Sequence, residues 1–278
     1  MEAPPATLGI IAGSGSLPLV AAQQARSLGV KCLIAVAFEN ETDPELARAV
    51  NRIIWIRVGQ LTRLIATFTE NGVRHCIMAG QIAPSNLFQL AQLRPDLRAL
   101  KMLFNLKEKN AHTIFGAIGD ELKKDGVELI SAAPWLEPSM PRAGFTLGPL
   151  IDAEQQRDVD FGFRIAKEIS RLEIGQTVVV KEGAVLAVEG FEGTDKCLAR
   201  GGELAGKEGG AVAIKVAKAN HDMRFDIPCV GPRTIKVASD AGVRVIAFEA
   251  GRTLLLEQEE VAKLAKQRRI SLLSVGEG

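Results

Sequence analysis

"LGIIAGSGSLP", Leu8 to Pro18, decides how this chain is built. An apolar run rich in β-branched residues ends in a Gly-Ser-Gly-Ser turn, and a helical pattern follows to Gly29 before the next apolar run, "KCLIAVAF". "RIIWIRV" leads into the helical "LTRLIATFTEN", with Gly72 as its stop, and then into "HCIMAG". After a further helical region comes "GVELISAA". Strands that alternate with helices predict a parallel, doubly wound sheet, and the Gly-x-Gly turn falls in its first crossover.

The proline-rich stretch "APWLEPSMPRAGFTLGP" changes the character of the chain. Beyond it the pattern predicts a helix from about Gln156 to Leu172 and a strand pair, "QTVVVKEGAVLAVEG", turning at Glu182-Gly183. A strand "GAVAIKVAK", a helix after "GPRTI", a strand "VRVIAFEAG" and a last helix complete it. The expected organisation is a Rossmann-like doubly wound α/β domain over residues 1–133, a linker over 134–148 and a mixed α/β catalytic domain over 149–278.

Composition narrows the function. A net charge of +1 over 278 residues supplies no broad basic face for nucleic acid. Four cysteines without a CxxC pair, and only three histidines, argue against a zinc site and a disulfide framework. The N-terminus has an acid where a signal peptide needs a base, and no apolar run nears the roughly 20 residues of a membrane span. The expectation is a cytoplasmic chain with a small-molecule partner, and a homodimer by default.

In the turn, Gly13 and Gly15 would let a backbone approach a phosphate at a helix N-terminus, and Ser14 and Ser16 add hydroxyls. Glu39 stands where a dinucleotide fold keeps its ribose-binding acid, but Pro18 occupies the third glycine position of that fingerprint. Nicotinamide binding, phosphate or sugar contact, and a tight turn without a ligand all remain open here.

"AVEGFEGTDKCLARGG", Ala187 to Gly202, spaces Glu189, Glu192 and Asp195 three apart among glycines, which reads as a loop leaving a strand. In "KVAKANHDMRFDIPCVGPRTI", Asp222, Arg224 and Asp226 alternate, so in an extended segment they share one face, with Lys215, Lys218 and His221 upstream. Five carboxylates among several cations suit magnesium, which needs only one or two carboxylates when a phosphate supplies further oxygens. The chemistry so implied is metal-assisted cleavage of a phosphoanhydride.

Together "LGIIAGSGSLP", "GQTVVVKEGAVLAVEGFEGTDKCLARGG" and "KANHDMRFDIPCVGPRTI" resemble the LpxI-type UDP-2,3-diacylglucosamine pyrophosphatases over essentially the whole chain. The resemblance implies hydrolysis of UDP-2,3-diacylglucosamine to UMP and 2,3-diacylglucosamine 1-phosphate in lipid A biosynthesis. It also implies magnesium, and a lipid held between a Rossmann-like N-terminal domain and a distinct C-terminal one. The family's essential acid matches Asp226, with Asp222 its companion and Arg224 between them as the expected catalytic set. The family's EGTD matches Glu192 to Asp195. Expected metal ligands are Glu189, Glu192, Asp195 and Asp226; expected substrate contacts are Gly13, Ser14, Gly15, Ser16, Lys181, Thr194, Lys215 and His221.

Two departures stand out. His221 replaces the glutamine many members carry, and "KNAHTIFGAI" replaces a Gly-Asp-Asp run, so that either Asn110 or His112 takes that role or the role is absent here. "NLFQLAQLRPDLRALKMLFNL" carries more apolar residues than one helical stripe needs, which suits acyl chains. Arg94, Arg98 and Lys101 are placed to meet anionic headgroups at the cytoplasmic face of the inner membrane. The competing readings are a NAD(P)-dependent oxidoreductase and a non-catalytic regulator that binds a nucleotide sugar.

Overall fold

The computed structural model describes residues 4–80, 95–107, 111–217 and 227–276. They form two compact units: Leu136 closes the first and Glu137 opens the second, inside the expected linker.

The first unit holds strands β1 (Thr7–Ala12), β2 (Cys32–Phe38), β3 (Arg52–Ile56), β4 (His75–Ala79) and β5 (Glu128–Leu129) in the order β3-β2-β1-β4-β5. All four pairings are parallel. Helices α1 (Leu17–Ser27), α2 (Leu61–Glu70), α3 (Leu97–Phe104), α4 (Ala111–Lys124) and the single turn α5 (Ala133–Leu136) complete it. Both sheet faces are covered, so the strands read as nearly continuous apolar runs. Ile11, Ile34, Val36 and Phe38 share a face with Leu64, Phe68, Met102 and Leu122, while the alternating Leu8, Ile10, Leu33 and Ala35 are equally buried.

One expectation about this unit changes. Arg98 is not offered to a headgroup, because its guanidinium clasps α3 to α4 through Glu121 Oε2 at 2.6 Å and Asp125 Oδ2 at 2.5 Å. Lys101 is exposed, as are Leu97 and Phe104. Arg94 and the apolar residues Leu87 to Leu93 lie outside the described residues.

The second unit carries β6 (Thr146–Leu147), α6 (Ala153–Arg171), β7 (Thr177–Lys181), β8 (Ala184–Val188), α7 (Thr194–Leu204), β9 (Ala211–Lys215), β10 (Cys229–Val230), α8 (Pro232–Asp240), β11 (Val243–Glu249), β12 (Leu254–Leu255), α9 (Gln258–Arg268) and β13 (Ser271–Val275). Its main sheet runs β6-β13-β11-β9-β7-β8. The three strands β9, β11 and β13 are parallel, and the outer pairings are antiparallel. Val178, Val180, Val212 and Ile214 meet α6 residues on one face. Val179, Ala213, Ile246 and Phe248 meet α7, α8 and α9 on the other.

The β7–β8 hairpin turns at Glu182-Gly183 as expected, both residues at positive φ, and buried Asp158 of α6 accepts both turn N–H groups at 2.8 Å. Two elements depart from the sequence reading. Thr146–Leu147, inside the expected linker, pairs with β13, which itself follows the last expected helix. "TDKCLARGGEL", expected to be loop, is the helix α7. Its two glycines are what lets it pack: a Cβ on Gly201 would sit 2.5 Å from Val179 Cβ, and one on Gly202 would run into the Ala241 carbonyl oxygen. Tertiary contact here overrides an unfavourable helix propensity.

Gly202→Ala should therefore destabilise the protein by about 1–3 kcal/mol, the usual scale of overpacking, although alanine is the better helix former. Chemical denaturation checks this, and a variant as stable as the parent would mean that α7 and the Ala241 turn separate freely.

Candidate active site

In the first unit the strand order reverses about β1, which lies between β2 and β4, and this makes the carboxyl ends of β1 and β4 the switch point where open α/β sheets bind ligands. The Gly13–Ser16 turn sits there. Gly13 N–H donates to Ala79 O at 2.8 Å, and a Cβ on Gly80 would lie 2.6 Å from Ser14 O, so the two loops touch through backbone alone. Gly15 has φ +83° with open space where a Cβ would project. Ser16 begins α1 but makes no side-chain capping bond. Thr42 ties this edge together, since its Oγ1 donates to Ala12 O and accepts from Phe38 N–H.

The second unit gathers polar side chains at the edge where β9 and β11 end. Because β7 and β8 are antiparallel, the start of β7 and the end of β8 reach the same edge. Lys215 Nζ donates to Thr194 Oγ1 at 2.7 Å, and Thr194 Oγ1 donates to Glu189 Oε1 at 3.0 Å. The other carboxylate oxygen, Glu189 Oε2, is buried and has no hydrogen-bond partner among the described residues. A buried charged oxygen in that condition is costly unless a cation or donor meets it. Behind the cluster, burial first and the Glu189 charge second push the Cys197 thiol up to about 12, so it is a neutral packing group and not a nucleophile.

The remaining acids of this loop are committed. Glu192 Oε2 accepts from Gly190 N–H at 3.0 Å and its Oε1 from Arg200 at 2.6 Å. Its own backbone N–H and then Arg200 hold its carboxyl below the ordinary range. That clasp is present above the ordinary carboxylate pKa and is lost as pH falls through the lowered one. Asp195 Oδ2 pairs with Arg233 at 2.6 Å. Glu192 and Asp195 are thus paired with arginines, and among the described residues no three acids, histidines or cysteines gather to hold a metal; Asp226, the fourth expected ligand, lies outside them.

Lys181 is also separated from its expected companions. It ends β7 at the hairpin, four residues from Thr177, and donates to Ala205 O at 3.1 Å, whereas Thr177 pairs with Lys215 at the opposite edge. Asp222, Arg224, Asp226 and His221 lie outside the described residues, as does Asn110, and nothing is described of the His112 side chain. Two residues that the sequence reading missed are Arg200 and Arg233. Arg200 stands eight residues after Glu192, on the stretch that reads as loop but forms helix α7, and Arg233 carries no local signal at all.

Fold and edge chemistry define the class: a two-domain α/β protein with a glycine turn at the switch point of one domain and a cation-hydroxyl-acid cluster in the other. The chain belongs to the LpxI family. The LpxI N-terminal domain matches residues 7–138 and the LpxI C-terminal domain residues 142–273. Over 279 aligned residues the chain is 33% identical to the UDP-2,3-diacylglucosamine pyrophosphatase LpxI of Caulobacter vibrioides, covering 96% of this chain and 97% of that one. Among solved structures, the biotin carboxylase domain of Hydrogenobacter thermophilus 2-oxoglutarate carboxylase aligns over 71% of this chain and 41% of that one, at 15% identity and a TM-score of 0.26, too low to bear on fold or function.

Thr194→Val removes the hydroxyl between Lys215 and Glu189 while keeping its shape, and should cost about 1–3 kcal/mol of stability by leaving both carboxylate oxygens unpaired. Thr194→Ser should restore most of it. Parental stability in the valine variant, measured by urea unfolding, would show that the cluster makes no net contribution.

Proposed function

We propose that this protein is a UDP-2,3-diacylglucosamine pyrophosphatase that hydrolyses the diphosphate to UMP and 2,3-diacylglucosamine 1-phosphate, a step of lipid A synthesis, with magnesium as cofactor. Two facts support the reading: both LpxI domains match, and the Caulobacter relative is named for this activity. The observation that carries the chemistry is Glu189 Oε2, without a partner among the described residues, beside Lys215 and Thr194.

Glu189 fits magnesium, which takes one or two protein carboxylates and fills its octahedron with phosphate oxygens and water. Glu192 and Asp195 are occupied by arginines, so of the expected described ligands Glu189 has the free oxygen. When bound, such a cation supplies neutralisation of the diphosphate charge. The rest falls to the chain's own groups. Lys215 draws phosphate oxygens toward the sheet edge, and the Thr194 hydroxyl, fixed by its two partners, keeps the ammonium aimed. Helix α7 begins at Gly193 without a side-chain cap, which favours an anion at its N-terminus. Water adds to one phosphorus and the bridging oxygen leaves with the other phosphate. Asp226, with Asp222 and Arg224, is assigned to orient that water on the strength of the family resemblance. His221 and the Gly13–Ser16 turn are assigned contacts with the nucleotide sugar.

No described helix is long and apolar enough to cross a membrane. Contact with the inner-membrane surface, where the lipid substrate resides, is part of the proposal, and the exposed Leu97, Lys101 and Phe104 on α3 suit it. The nicotinamide alternative is not favoured, since both domains match LpxI and Pro18 interrupts the fingerprint.

Turnover of UDP-2,3-diacylglucosamine, with release of UMP followed by chromatography, tests the reading; it should stop on exhaustive chelation and return with magnesium. Turnover indifferent to chelation would remove the metal, and no turnover would leave a binding protein. Asp226→Asn should lower kcat about 10²- to 10⁴-fold with the thermal midpoint nearly unchanged. A few-fold effect would take Asp226 out of the reaction. Gly15→Val, which forces a β-branched residue to φ +83°, should weaken UMP binding in a folded protein; unchanged affinity by calorimetry would assign the turn to architecture.

A further inference from the structure

Glu249, the last residue of β11, is an acid buried in the second unit that the proposed chemistry does not use; its side chain is 8% exposed. Its Oε2 accepts from the Ala217 N–H at 2.8 Å, and its Oε1 pairs with Lys167 Nζ of α6 at 2.9 Å and lies 3.6 Å from Arg252. Ala217 is fully buried, and its carbonyl accepts from Ser170 Oγ at 3.4 Å. Ala217 therefore lies just past the end of β9, with both its peptide groups held by side chains. Lys215, two residues earlier, faces Phe248 on β11 and Thr177 on β7. The strand that delivers Lys215 is thus fixed from both neighbours and, just beyond it, by a carboxylate.

Stability alone is a poor reason for this arrangement. A neutral acceptor would satisfy one N–H, and a buried ion pair often adds no net stability over apolar residues of the same volume. What a charged acceptor adds is a shorter, stronger and more directional bond to the peptide N–H. We infer that Glu249 is a positioning residue: it locks the exit of β9 so that Lys215 Nζ is presented to Thr194 and to the phosphate oxygens. This rests on the reading of Lys215 as a phosphate-neutralising group given under the proposed function.

The test is a double-mutant cycle of Glu249→Gln and Lys215→Met, read as kcat/KM on UDP-2,3-diacylglucosamine and as UMP affinity by calorimetry. Gln keeps an acceptor and removes the charge. Alone it should lower kcat/KM and UMP affinity at least tenfold, with a thermal midpoint within a few degrees of the parent. In the Lys215→Met background it should cost less than a further twofold, because its effect acts through Lys215. An effect under threefold in the parent, or the full loss repeated in the Lys215→Met background, would overturn the inference and leave Glu249 as a structural clasp. If Glu249→Gln does not fold, Ser170→Ala, which loosens the same peptide from its other side, takes its place with a threefold loss expected and no loss overturning it. A parent that binds UMP but does not turn over the lipid substrate ends the substrate reading, and the cycle on UMP affinity still decides Glu249. A parent that does neither ends both.

Discussion

Parallel strands bring all their carboxyl ends to one edge of a sheet, and the loops that leave that edge must find partners for backbone groups the ladder no longer serves. In both units of this protein hydrogen-bonded loops and polar side chains collect where that demand arises. The first unit meets it with backbone and small residues, Gly13 against Ala79 and Thr42 across Ala12 and Phe38. The second meets it with charge: Lys215 and Glu249 at the ends of parallel strands, and Thr177 and Glu189 brought alongside by an antiparallel hairpin. A site of mixed strand direction is what allows an acid and a base from different elements to face each other across one hydroxyl.

The far end of that hairpin has a different task. Asp158 satisfies the turn at Glu182 and Gly183, and Lys181 caps the Ala205 carbonyl, so the residues there hold the sheet's shape. Lysine at one end of β7 and lysine at the end of β9 look alike in sequence, yet strand direction puts them at opposite edges.

The doubly wound first domain was legible because period and punctuation agree: β-branched runs, helical stretches and glycines such as Gly13, Gly29, Gly59, Gly72 and Gly126 between them. The hairpin was legible from Glu182-Gly183 for the same reason. Helix α7 was not, since Gly201 and Gly202 argue against a helix locally, and only their packing on Val179 and Ala241, distant in sequence, explains them. The acids at 189, 192 and 195 were found but their roles could not be separated. Which carboxylate is neutralised depends on Arg200 and Arg233, and no spacing rule shows that Arg233, 38 positions beyond Asp195, returns to it. Glu249 escaped notice because an isolated acid at the end of an apolar strand carries no motif.

Glu189 has one further consequence. Its second oxygen has no partner among the described residues, and a cation or donor that meets it from a ligand would stabilise the fold that presents it. Folding and binding are then linked equilibria: whatever occupies that oxygen draws the population toward the native state in proportion to its free concentration over its dissociation constant. The enzyme's lifetime in the cell would follow the supply of its ligands, with idle molecules the first to unfold.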